Sequence, residues 1–376
     1  MGPVRGLYLP GNLNNANWFL IKRNMTKLII HCGSGKAGST AIQSSYHQSR
    51  TLLAKHGILY PDTPFSRSAH HILQILFQDD SQILPKYVKK AGGYQKIRAL
   101  SKKYWESVRE EVRTTNPELV LISSETFYQL DEAALSKMKT YLAGVFDEVE
   151  FVFYVREPAA KYLSLLQQSI KTRCEFFPPD KMRELGHLAT IERVFGTAVR
   201  VIAFDRSSLI NGDVVYDLSA RLLSPNIEPG QVETIMKNES ISPEAISILN
   251  KYQRFMFNRG ESLPKHKIKR IREGIIRYEK ENGRNRKPGL KPGIATSIQA
   301  SSEELLSLRN RYGIEFPGID YDRVGTGSID PSQYQQVSDV IEVDTELEAE
   351  IMLYLIDTEM LTLKTVRDKA LGLFKK

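Results

Sequence analysis

Residues 27–46, KLIIHCGSGKAGSTAIQSSY, constrain the fold more than any other stretch, because they read as a buried strand, a glycine-rich turn and the start of a helix. Lys27 to Cys32 is a short run rich in Leu and Ile, the composition of a strand covered on both faces. Gly33, Gly35 and Gly38 allow positive φ and close approach of a ligand, and Ser39 and Thr40 supply hydroxyls where the helix begins. A helix N-terminus carries unpaired N–H groups and a partial positive charge, so this turn suits an anion such as a phosphate. Lys36 adds a full charge inside it. An ordinary strand-to-helix turn is the simpler alternative for this motif taken alone.

The position of the lysine separates two kinds of phosphate loop. A Walker A loop places it immediately before Ser or Thr, as GK[ST], whereas Lys36 is followed by Ala37, Gly38, Ser39 and Thr40. That arrangement resembles the 5′-phosphosulfate loop of the PAPS-dependent sulfotransferases, K-[ST]-G-[ST]-[ST] after a strand. Ala37 departs from the pattern and loses one hydroxyl, although backbone N–H groups can still hold an anion. The resemblance implies that Gly33, Ser34, Gly35, Lys36, Ala37, Gly38, Ser39 and Thr40 line the phosphosulfate site.

A second constellation lies in VEFVFYVREPAAKYLSLLQQSI, residues 149–170. Phe151 to Val155 reads as a buried strand with Arg156 at its carboxyl end, and Pro158 suits the first turn of a helix. That helix can bring Ser164 back toward the strand end, so that guanidinium and hydroxyl share one phosphate. This is similar to the sulfotransferase 3′-phosphate site, R-[DE]-P followed by a helical serine. A purely structural arginine is the alternative, weakened because both motifs occur in the family's order and separation.

Leu119 to Ile122 reads as another strand, ending in Ser123, Ser124 and Glu125. Ligands of doubly wound sheets sit outside the carboxyl ends of strands, so a carboxylate there is placed for chemistry. Sulfotransferases of related folds use a glutamate to deprotonate the acceptor, which makes Glu125 the candidate base; a cap on the helix expected from Thr126 is the competing role. His70 and His71, at the head of the apolar stretch SAHHILQIL, are read either as a surface pair at a helix start or as a proton acceptor near the sulfuryl group. Thr40 to Lys55 is expected to be one helix with Ile42, Tyr46, Ser49 and Leu53 on one stripe, stopped by Gly57 and followed by a short strand at Ile58 to Tyr60. Three further blocks are similar to bacterial sulfotransferases: LLAKHGILYPD, the NESIS segment at 238–242, and RYGIEFPG.

Charge is unevenly distributed. The chain has 376 residues and a net charge of +8, and Lys265 to Lys291 alone carries 11 Lys/Arg against 3 Asp/Glu. Its first part predicts an amphipathic helix docked by Ile268, Ile271, Ile275 and Tyr278. Its second part, GRNRKPGLKPG, predicts a loop in which Arg284 and Arg286 close over the cofactor or an anionic acceptor. Val324 to Leu363 contains no Lys or Arg. Basic runs attract polyanions, yet neither zinc-ligand spacing nor an aromatic RNA-binding motif accompanies this one, so no nucleic acid partner is expected.

The organisation predicted is a loose extension at 1–24, a sulfotransferase-like α/β domain at 25–323, and an acidic then helical segment at 324–376 packed on the same domain. The fold class is α/β, a P-loop-type three-layer fold with a central parallel sheet flanked by helices. No apolar run approaches ~20 residues, so no membrane span is expected. Cys32 and Cys174 are too few for a disulfide framework and fit a reducing, cytoplasmic location. The resemblance implies sulfuryl transfer from PAPS to a hydroxyl or amine of an acceptor, a sugar or polysaccharide, with Lys36 stabilising charge, Glu125 or a histidine of the pair as base, and no metal. A P-loop kinase and a non-catalytic binder of nucleotides or anionic glycans are the alternatives, the latter favoured by Ala37.

Overall fold

The structure is a computed structural model and describes residues 25–361, except 34, 64, 66, 67, 236–239, 262, 285 and 359. Residues 1–24 and 362–376 lie outside the described residues, as do the first two residues of the NESIS segment, 238 and 239. Five strands form one sheet: β1 (Lys27–His31), β2 (Ile58–Leu59), β3 (Leu119–Ser123), β4 (Glu148–Val155) and β5 (Arg200–Ala203). Their order is β2-β3-β1-β4-β5 and every pairing is parallel, so all carboxyl ends lie on one edge.

The helices that precede β4 are α1 (Ser39–Gln48), α2 (Arg50–Lys55), α3 (Pro85–Ala91), α4 (Tyr94–Thr115) and α5 (Glu132–Leu142). After it come α6 (Pro158–Arg173), α7 (Leu185–Phe195), α8 (Val214–Leu218), α9 (Pro243–Asn258) and α10 (Lys265–Glu281). The last are α11 (Ile294–Ser301), α12 (Glu304–Tyr312), α13 (Val337–Val340) and α14 (Thr345–Asp357).

Alternation along the strands builds the three layers. Leu28, Ile30, Val120, Ile122, Phe151 and Phe153 point into a core shared with α4, α5, α7 and α12. Ile29, Leu121, Val152 and Tyr154 point the other way, onto Ile42 and Tyr46 of α1 and Val215 of α8. Because both faces are covered, β1 is apolar from Leu28 to Ile30, as its composition predicts, and even its closing His31 is buried. A third core joins α6, α9, α10 and α11 to Val337, Val340, Ile351 and Leu355, so the acidic segment is packed by its apolar residues.

Three local expectations need correction. The helix expected over 40–55 breaks at Ser49 into α1 and α2. The strand expected over 58–60 contains only Ile58 and Leu59. The apolar stretch after His71 forms only a 3-10 turn, Leu73–Leu76. The last has a visible cause: Ser101 Oγ donates to Ile72 O at 2.7 Å and Trp105 Nε1 to Leu73 O at 2.7 Å, consuming carbonyls that an α-helix would use.

Candidate active site

The turn between β1 and α1 lies at the carboxyl edge of the sheet. Its left-handed residues are Lys36 (φ 76) and Gly38 (φ 80), not Gly33 or Gly35 as the glycine pattern suggests. Gly33 is required for space, since a Cβ there would lie 2.9 Å from His31 Nε2, and at Gly38 one would lie 2.7 Å from Phe204 Cε2. Gly35 has open space around it. Gly38 is the N-cap of α1 and supplies no capping side chain, so the helix end is left to bind an anion through its N–H groups. By contrast Glu157 caps α6, accepting from Ala159 N at 2.9 Å and Ala160 N at 2.6 Å, which plugs that end with a carboxylate.

Ala37 is buried among Ile29 and Ile42, so its methyl serves the core and only its backbone can face a ligand. Ser39 is buried and donates its hydroxyl to Glu125 Oε1, while Thr40 is exposed. Ser34 lies outside the described residues. Lys36 Nζ reaches Gln168 Oε1 of α6 at 3.1 Å. Burial holds its ammonium below the usual lysine range, with Glu125 opposing that shift and Arg156 adding to it.

Arg156 extends from the end of β4 and donates from Nη1 to the Lys36 carbonyl at 3.0 Å. Its guanidinium also stands 5.6 Å from the centre of the Phe204 ring. Ser164 is half-buried on the second turn of α6, four residues before Gln168 and so on the helix face that meets Lys36. Among the described residues it has no hydrogen-bond partner. The structure thus brings Lys36, Ser39, Glu125 and Arg156 together and places Ser164 on the adjoining helix face.

Glu125 sits in the turn after β3. The cap role fails, because no side chain caps the 3-10 turn Phe127–Gln129 and Glu125 accepts from Ser39 instead. The histidines separate in role. His70 is fully buried: Ser123 N donates to its Nδ1 at 2.9 Å and its Nε2 pairs with Pro61 O at 3.0 Å. With both ring nitrogens bound to backbone and burial pushing its pKa down to about 4, His70 is a staple between segments, neither a surface histidine nor an available base. His71 Nδ1 pairs with Ser124 Oγ at 2.8 Å, and Ser124 Oγ with Thr126 Oγ1 at 2.9 Å. Burial lowers the His71 pKa, with the charge of Glu125 opposing.

Arg286 does not close over an anion. Its Nη2 pairs with Glu244 Oε1 at 2.6 Å and reaches Glu342 O at 3.2 Å, tying the loop to the start of α9 and to the acidic segment. Arg284 is exposed in that loop, its backbone N–H bonded to Glu279 O at 2.8 Å.

Two groups, one buried and one half-buried, escaped the sequence reading. His31, the last residue of β1, pairs through Nδ1 with Ser123 Oγ at 2.8 Å, and among the described residues its Nε2 has no hydrogen-bond partner. Lys161, one turn into α6, is ion-paired with Glu184; burial pushes its pKa down to about 8 against the charges of Glu304 and Glu125. Its signal was available, since Lys161, Ser164 and Gln168 share one helix face. Among the described residues no cluster of His, Cys, Asp or Glu is placed to hold a metal ion, and no helix is long and apolar enough to cross a membrane. Compared with models of protein families, with curated proteins and with solved structures, the chain matches none of them.

Proposed function

We propose that this chain is a PAPS-dependent sulfotransferase that moves a sulfuryl group to a hydroxyl or amine of a carbohydrate acceptor. The observation that carries the reading is the convergence of the uncapped α1 N-terminus, Lys36, Arg156 and Glu125 at one edge of the sheet. The loop N–H groups and Lys36 suit the 5′-phosphosulfate, and Arg156 with Ser164 suits the 3′-phosphate. The acceptor oxygen or nitrogen attacks sulfur, the bond from sulfur to the bridging phosphate oxygen breaks, and adenosine 3′,5′-bisphosphate (PAP) departs. Lys36 stabilises the charge growing on that oxygen, and Glu125 takes the acceptor proton. His71 is the remaining candidate for the proton, through the nitrogen not bonded to Ser124. The two cysteines are free and buried, in keeping with a reducing, cytoplasmic setting.

One contact favours a second reading. A loop hydroxyl beside a strand-end carboxylate, as in Ser39 and Glu125, is also how P-loop kinases hold Mg²⁺. The lysine register argues against it. Thermal shift with PAP, with ATP and with ATP plus Mg²⁺ separates the two, since a ligand that binds the native state raises its melting temperature. Stabilisation by PAP alone, followed by label transfer from PAPS to a panel of glycans, is the expected result. Stabilisation only by ATP with Mg²⁺ would establish the kinase, and stabilisation by PAP with no transfer to any acceptor would support the non-catalytic binder.

A further inference from the structure

The basic stretch divides into a tether and an open face. Arg286 is consumed by Glu244, and Lys269 stands 3.6 Å from Glu273. Lys265, Lys267, Arg270, Arg277, Lys280 and Arg284 are all exposed and, among the described residues, have no ion-pair partner. Helix α10 is docked by Ile268, Ile271 and Ile275, which are at most 4% exposed. At about 100° per residue, Lys265, Lys280, Arg277 and Arg270 fan over roughly 140° on the side opposite that stripe, along about 22 Å of helix. The acidic α14 packs against α10, where Glu348 is taken up by Lys251 at 2.7 Å and Glu350 accepts from Tyr278 Oη at 3.1 Å.

We infer that this outward face of α10 is a docking surface for a linear anionic polysaccharide, one that carries sulfate or carboxylate groups on successive sugars. Repulsion among unpaired cations on one helix is relieved by a polyanion, whose bound counterions are released as it docks. A wide convex fan suits a thin flexible chain that can follow it, whereas a rigid duplex touches only a narrow strip of such a surface. Single-stranded nucleic acid would call for exposed rings to stack its bases. The aromatic side chain on this helix, Tyr278, instead packs on Tyr354 with ring centres 5.1 Å apart. The surface needs neither PAPS nor catalysis, so its test is independent of the proposed reaction.

Heparin is the probe, titrated against the full chain without nucleotide over a series of NaCl concentrations. Arg270→Ser/Arg277→Ser/Lys280→Ser should bind at least tenfold more weakly at low salt, with a slope of log affinity against log salt shallower by roughly two to three. Lys89→Ser/Lys96→Ser/Lys103→Ser, an equal charge change at exposed positions on α3 and α4, should stay within about twofold of wild type. Should the first triple variant unfold, Arg277→Glu alone must show the same loss. Equal losses in the two triple variants, no heparin binding by wild type, or duplex DNA bound as tightly as heparin at the same salt would each overturn the inference.

Discussion

Arg156 donates a hydrogen bond from Nη1 to the main-chain carbonyl of Lys36 at 3.0 Å, so the arginine of the second motif braces the loop of the first. Lys36 needs that brace, because it holds φ at 76, a left-handed conformation costly for a residue with a side chain. A separation of 120 residues in sequence is closed by this one contact. Arg156 therefore shapes the loop, and on the proposed function its remaining N–H groups would serve a phosphate as a second task.

Those tasks can be measured apart. Arg156→Ala should weaken PAP binding by about 2 to 5 kcal/mol, the cost of removing a charge-assisted contact to phosphate. Adenosine 5′-phosphosulfate, which lacks the 3′-phosphate, should lose affinity only through the slackened loop, at least tenfold less. Calorimetric titration of both ligands decides; equal losses would reduce Arg156 to a brace.

Substitutions at Lys36 should split stability from binding. Lys36→Gly relieves the left-handed strain and should hold or raise the melting temperature, whereas Lys36→Val should destabilise by roughly 1 kcal/mol or more. Both should abolish the thermal shift caused by PAP. A Lys36→Gly protein that still responds to PAP like wild type would remove the lysine from the site.

Proton transfer offers a third test. Glu125→Gln should lower kcat roughly 100-fold or more while sparing PAP affinity, because the amide still accepts from Ser39 but cannot take a proton. If activity survives there and disappears in His71→Ala, the histidine is the base. His70→Ala should act on stability, since His70 has no free ring nitrogen.

Acid should destabilise the fold through His31 and His70. Both are fully buried and held near pKa 4, below the ordinary value of 6.5, so the unfolded chain binds more protons between those limits. Their contribution is complete above about pH 6.5 and is lost as pH falls toward 4, at up to roughly 1.4 kcal/mol per pH unit for each histidine. Urea midpoints at pH 7.5, 6.0 and 5.0 should show the decline, and His31→Asn or His70→Asn should flatten it. An unchanged slope in both variants would contradict this origin.

Arg286→Ala should destabilise without touching the nucleotide site. It leaves the fully buried Glu244 without its ion-pair partner, a loss of roughly 1 to 3 kcal/mol, toward the low end because 45% of the arginine side chain is exposed. The PAP-induced shift should persist; its disappearance would restore Arg286 to the ligand site.

Much of this arrangement was legible because it is local. Composition marks β1, β3 and β4 as covered strands, Pro158 marks the start of α6, and the loop glycines mark the turn. Positions settled by distant partners were not legible. Lys36, rather than Gly35, takes the left-handed backbone in a loop braced from β4. Arg286 finds Glu244, 42 residues away, which no run of charge reveals. His70 turns inward because Ser123 and Pro61 offer backbone partners to both its nitrogens. Glu125 could be placed at a strand end, but its contact with Ser39 depends on β3 lying beside β1.

That neighbour relation has a kinetic side. β1 is made early in the chain, yet His31 pairs with Ser123, 92 residues later, and Thr26 with Asp147, 121 residues later. The central strand has no neighbour to pair with until β3 is made, and its second edge stays open until β4 follows; parallel pairings over such spans pay their loop entropy before any contact repays it. During synthesis the apolar residues 28–30 therefore wait unpartnered until β3 has emerged, and one edge of β1 stays open until β4 follows. Pulse-labelled hydrogen exchange during refolding should show β1 amides gaining protection no earlier than those of β3. Protection of β1 well before β3 would mean that the strand first pairs elsewhere.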